Sequence, residues 1–148
     1  ANKNTPWTPA VSLFYGLDAV LDLILQEGLP NVFNRHRRMA LACRAGVKAL
    51  GFELLAPCAV ASHTVTAIIP PKDVSAGELS KALKQNYNVT FAGGQGGLKG
   101  KILRIGHMGY CSELDVVLAI AALEMTLYKM GRGVELGSGV GAAERALF

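Results

Sequence analysis

The hydrophobic period of this chain switches from helical to strand-like and back, across connections that are mostly too short for parallel crossovers. Thr64–Ile69 (Thr-Val-Thr-Ala-Ile-Ile) is rich in β-branched residues and is closed by Pro70-Pro71, so it reads as a strand. Phe52–Leu55 precedes it as a shorter candidate, and Asn88–Ala92 and Ile102–Gly106 follow. Strands that pair in parallel need a dozen or more connecting residues, usually a helix. Only the stretch opened by Ser75 provides one. The expectation is an α+β fold: a small, mostly antiparallel sheet covered by helices on one face.

The helices follow from apolar spacing and from their stops. Leu13, Leu17, Val20, Leu21 and Ile24 recur at three- and four-residue intervals, and Gly28 is placed to end that helix. Pro30 sits in the first turn of a second helix, where its missing N–H costs nothing. This helix presents Val32, Phe33, His36, Met39, Ala40, Cys43 and Val47 on one side and Arg35, Arg37, Arg38, Arg44 and Lys48 on the other, and Gly51 ends it. Ser75 with Glu78 three residues later forms a capping-box pattern, with Leu79, Ala82 and Leu83 facing inward. Ser112 caps a last long helix from Glu113 to about Met130, acidic in its first turn and basic in its last. One domain is thus expected over residues 1–131, entered through a linker at 1–11. Residues 132–148 read as a flexible Gly-rich tail, with a helical turn conceivable from Ala142.

Composition excludes several classes of function. Half of the residues are apolar and 18% are charged, which describes a globular chain. The mean hydropathy of +0.30 needs a source. No uninterrupted apolar stretch reaches the roughly 18 residues of a membrane helix; the closest, Ala10–Leu25 and Val116–Met130, carry Asp18, Asp22, Glu124 and Lys129. No membrane association is expected, and the surplus reads as surface meant for another domain or subunit. The net charge of +4 is spread without the density or interleaved aromatics of a nucleic-acid surface. Cys43, Cys58 and Cys111 form neither a disulfide framework nor a zinc pattern, which points to the reducing cytoplasm. The polar start without methionine shows no secretory signal and suggests a processed, cloned or cleaved piece.

Two features invite chemistry. Gly93–Gly100 holds five glycines in eight residues. It runs from strand to strand and does not end in Gly-Lys-Ser/Thr, which argues against a phosphate cradle and leaves either a mobile connection or a loop that passes close to a ligand. Next comes Lys101-Ile102-Leu103-Arg104-Ile105-Gly106-His107, where alternation puts Ile102, Arg104 and Gly106 on one face. An arginine among apolar neighbours needs an anion, and the residues alone leave open an internal ion pair or a bound carboxylate. His107 and His36 read as packed or interface residues, and Cys111 has no visible activating base. No set of ligands at metal spacing appears.

Gly93–Gly109 closely resembles a motif near the end of class V aminotransferases, which include alanine–glyoxylate and serine–glyoxylate transaminases and the cyanobacterial soluble-hydrogenase-subunit group. Thr5–Leu17 resembles the segment leading into that family's C-terminal domain, and Gly28–Arg38 the helix after it. The resemblance covers about residues 5–131 in family order.

What the resemblance implies is specific. Arg104 would grip the α-carboxylate of an amino-acid or 2-oxo-acid substrate. Thr8 would help bind the phosphate of pyridoxal phosphate held by the partner subunit of a homodimer. The glycine loop would border the substrate entrance. The family's Schiff-base lysine belongs upstream, in an N-terminal cofactor domain, and Lys3 lies too near the Thr-Pro segment to replace it. Alone, the chain is therefore expected to be inactive, contributing the carboxylate arginine and dimer contacts. The alternative is a non-catalytic carboxylate-binding or dimerisation module.

Overall fold

The computed structural model describes residues 7–148, so Lys3, Thr5 and most of the expected linker lie outside the described residues. The chain divides into a first unit ending at Asn34 and a second from Arg35 to Phe148.

The first unit contains helix α1 (Val11–Glu27) and the start of α2 (Leu29–Ala49). Gly28 takes φ +81°, a conformation open to glycine, and returns its amide to the Ile24 carbonyl at 2.9 Å. No residue of α1 is buried, and Leu13, Leu17, Val20 and Leu21 are exposed along it.

The second unit carries the core. Its strands are β1 (Glu53–Leu54), β2 (Val65–Ile69), β3 (Ala92–Gly93) and β4 (Leu103–Gly106). Its helices, besides the rest of α2, are α3 (Ala76–Tyr87), α4 (Glu113–Lys129) and α5 (Ser138–Leu147). All strand pairs are antiparallel, in the order β1-β2-β4-β3. The expected fold class is the observed one. β3 is shorter and later than the Asn88–Ala92 expectation, because Asn88 caps α3 at φ 54° and Val89 returns its amide to Leu83.

Alternation along β2 and β4 turns Thr66, Ile68, Leu103 and Ile105 inward. Ile68, Leu103 and Ile105 meet Leu79 and Leu83 of α3 and Ile120, Leu123 and Leu127 of α4 in one cluster. Glycine sets one helix contact: a Cβ on Gly46 of α2 would sit 2.9 Å from the Ile120 side chain. The capping signals also hold. Ser75 accepts from the Glu78 amide, and Ser112 with Asp115 forms a full capping box.

Two expectations need correction. Residues 132–148 are not a loose tail as a whole, since 138–147 form α5 with Gly139, Ala143 and Leu147 buried. Small residues let α5 approach closely, for a Cβ on Gly139 would lie 2.7 Å from Leu50 Cγ. Arg44 does not share the outer face of α2 with the other cations. It is buried and donates to the Ser62 carbonyl.

Candidate functional site

Arg104 stands on β4, inside the sheet, with Ala67 of β2 on one side and Ala92 of β3 on the other. These small neighbours leave room for a long side chain on this face, where Val65, Ala67 and Arg104 are half-buried. The predicted alternation holds for Leu103, Arg104, Ile105 and Gly106, whereas Ile102 precedes the strand and is buried. Arg104 Nε donates to the Gly93 carbonyl at 3.0 Å. That bond ties the guanidinium to the first residue of the glycine loop and fixes its plane. Among the described residues no carboxylate comes within ion-pairing distance of Arg104. The internal ion pair that the sequence left open is therefore not formed there.

The glycine loop has a defined path. A 3₁₀ turn spans Gly96–Leu98, closed by the Leu98 amide on Gln95 and the Lys99 amide on Gly96. At Gly94 any side chain would collide with the Leu98 carbonyl, and Gly96 and Gly100 take positive φ. The glycines thus allow a tight reversal between β3 and β4. Beside it lies a cavity of about 440 Å³, lined by Lys81, Lys84, Lys99 and the backbone of Gly93, Gly94 and Gly100. Arg104 is not part of that lining.

The remaining candidates separate by burial. His107 is buried, with Nε2 and the Thr66 hydroxyl 2.9 Å apart. Burial, helped by the nearby Arg44 charge, lowers its pKa to about 4, so it stays neutral near pH 7. Burial pushes the Cys43 thiol up to about 11, and Cys111 is also raised, mainly by burial with Asp115 adding negative charge. Neither is an activated thiol. Arg35 donates to the carbonyls of Gly109 (2.9 Å) and Cys111 (3.3 Å), holding the turn after β4. Thr8 is exposed in the segment before α1, in the first unit.

Sequence reasoning passed over Glu124, a buried carboxylate, and Arg44, which lines a pocket of about 190 Å³ with Leu54, Val60 and Ala67. The one advance sign was a charge placed between apolar neighbours.

Every described lysine is exposed. Among the described residues no group of three or more His, Cys, Asp or Glu could hold a metal, and no helix is long and apolar enough to cross a membrane.

No family model matches the chain. It is 44% identical over 145 residues to an uncharacterized aminotransferase of Methanocaldococcus jannaschii, covering 98% of this chain and 37% of that protein. It is 40% identical over 146 residues to a serine–glyoxylate aminotransferase of Arabidopsis thaliana, covering 96% and 36%. Among solved structures, pyridoxamine–pyruvate aminotransferase from Mesorhizobium loti superposes with a TM-score of 0.90 at 39% identity, over 99% of this chain and 38% of that one. The chain thus spans a little over a third of the length of the curated relatives it matches. Matched over nearly its whole length by aminotransferases at 39–44% identity, the chain belongs to the class V aminotransferases and corresponds to their C-terminal part.

Proposed function

We propose that this domain serves a pyridoxal-phosphate-dependent aminotransferase by fixing the substrate carboxylate through Arg104. The supporting observation is the state of Arg104: set in the sheet, held by the Gly93 carbonyl, and without a carboxylate of its own among the described residues. A guanidinium so held offers two parallel N–H donors to a carboxylate. Fixing that end of an amino acid fixes where its Cα–H bond points, a positioning contribution.

The enzyme would move an amino group from alanine or serine to glyoxylate or another 2-oxo acid. Pyridoxal phosphate, when bound, supplies the electron sink for chemistry at the α-carbon. Its lysine and most of its phosphate ligands are assigned to an N-terminal cofactor domain of the same protein. Thr8 is assigned to the phosphate of the cofactor in the partner subunit of a homodimer, and the glycine loop to the substrate entrance. The three free thiols suit a reducing, cytoplasmic setting.

In the full-length enzyme, Arg104→Lys should raise KM and lower kcat/KM at least tenfold, since a single ammonium cannot replace the bidentate contact. Steady-state kinetics with each amino donor reads this. Unchanged constants would remove Arg104 from the substrate site.

The bond that holds Arg104 to the Gly93 carbonyl would equally serve a second reading, a carboxylate-binding or dimerisation module without catalysis of its own. Absorbance of the natural protein in the pyridoxal phosphate region separates the two.

A further inference from the structure

Gly94 is required by space and not by backbone shape. Gly96 and Gly100 of the same loop take positive φ, whereas Gly94 does not, so its conformation is open to any residue. What excludes a side chain is contact. A Cβ at Gly94 would collide with the Leu98 carbonyl oxygen and stand 2.6 Å from the carbonyl carbon and 2.9 Å from Ile102 Cγ1. At Gly46 and Gly139 the nearest obstacle is a side chain. At Gly94 it is main chain, which has no rotamer to escape into.

Both sides of that close approach support Arg104. The peptide plane that ends at Gly94 carries the Gly93 carbonyl, which accepts from Arg104 Nε at 3.0 Å. The Leu98 carbonyl accepts from the Lys101 amide at 3.0 Å, and Lys101 stands two residues before the start of β4 at Leu103. Room for a Cβ opens only if Gly94 or Leu98 moves. If Gly94 moves, the Gly93 carbonyl turns away from Nε. If Leu98 moves, it pulls on the entry of the strand that carries the arginine. With Nε engaged, the guanidinium keeps its Nη1 and Nη2 edge free for a carboxylate. Without that bond the planar group turns freely on its long stem, and the ligand must order it on binding.

We infer that Gly94 is a positioning residue for the substrate carboxylate: its missing side chain keeps the glycine reversal tight enough for the Gly93 carbonyl to aim Arg104. This rests on the assignment of Arg104 to that carboxylate, and it adds a residue that acts through the arginine.

The test is a double-mutant cycle in the natural full-length enzyme, made of Gly94→Ala, Arg104→Lys and the two together, read by steady-state kinetics with each amino donor. Gly94→Ala should raise KM by about fivefold or more and lower kcat by a smaller factor, because a misplaced anchor weakens the hold on substrate first. In the Arg104→Lys background the same change should alter kcat/KM by less than about twofold, since lysine has no Nε–H for the Gly93 carbonyl to hold.

An unchanged KM for Gly94→Ala overturns the inference while a loss for Arg104→Lys leaves the carboxylate reading standing. Equal losses in both backgrounds also overturn it, because Gly94 would then shape the loop without acting through the arginine. Unchanged constants for Arg104→Lys would remove the carboxylate reading and this inference together. Should Gly94→Ala not yield folded enzyme, one glycine inserted after Gly97 takes its place in the cycle, with the same outcomes. A Cβ at Gly97 would meet nothing within 4 Å, so the insertion widens the reversal without a collision.

Discussion

Replacing Glu124 with alanine should destabilise the second unit by about 3 kcal/mol and release α5 from it. The Glu124 side chain leaves α4 almost fully buried. Its carboxylate accepts from the Gly137 amide, from Gly139 at 2.7 Å and from Val140 at 3.2 Å. Those amides open α5, the positive end of that helix, and have no partner inside it. One buried carboxylate therefore meets three amides, of which that of Gly139 is buried and those of Gly137 and Val140 are partly covered. Loss of the carboxylate leaves amides unpaired at roughly 1–3 kcal/mol for each group that stays dry, less whatever water recovers. Glu124→Gln keeps one acceptor oxygen but turns an NH₂ towards the donors, so most of the loss should remain. Urea denaturation at constant m-value measures the total. Hydrogen exchange at residues 138–147 shows whether α5 alone comes away. A midpoint shift worth less than about 0.5 kcal/mol would mean that α5 is held by Ala143 and Leu147 alone.

The same contact explains where sequence reading stopped. Helix ends with local signals were legible: Gly28, the Ser75–Glu78 pattern and Ser112 all act within a few residues of what they cap. The cap of α5 is supplied from 13 to 16 residues away by a side chain on another helix, and no local pattern announces it. The glycines of 133–141 read as looseness when taken alone. In the fold, Gly139 is instead the residue that lets α5 lie against Leu50. Arg44 was misplaced for a similar reason. Helical spacing put it with the outer cations, whereas the Ser62 carbonyl arrives from a loop 18 residues later. Arg104 was legible because strand alternation is local, and its face followed from Leu103 and Ile105. What alternation left open was the partner, since the Gly93 carbonyl reaches it only through the β3–β4 pairing. For α1 the helical period was legible, and its apolar residues are exposed, because periodicity shows that a stripe is apolar and says nothing about what covers it.

Stability should also fall between pH 6.5 and pH 4, through His107. Its ring is buried against Thr66, and burial, with Arg44 nearby, lowers its pKa to about 4 from an ordinary 6.5. Above pH 6.5 the ring is neutral in both the folded and the unfolded chain, and it contributes no slope. Between 6.5 and 4 the unfolded chain takes up a proton that the folded chain refuses, so unfolding becomes easier as the pH falls. Below about 4 both states are protonated and the difference stops growing. The window is worth up to roughly 3 kcal/mol, at about 1.4 kcal/mol for each pH unit in its middle. Urea midpoints taken every half unit from pH 7.5 to 3.5 measure the slope, and carboxylates elsewhere add their own. His107→Gln isolates the histidine: it keeps a hydrogen-bonding group near Thr66 and removes the titration. Subtracting the two curves should leave a step confined to this window, with a difference of about one proton. A difference curve that is flat from pH 6.5 to 4 would mean that the imidazole is as easily charged in the fold as in water, and that burial and the Arg44 charge do not hold it neutral.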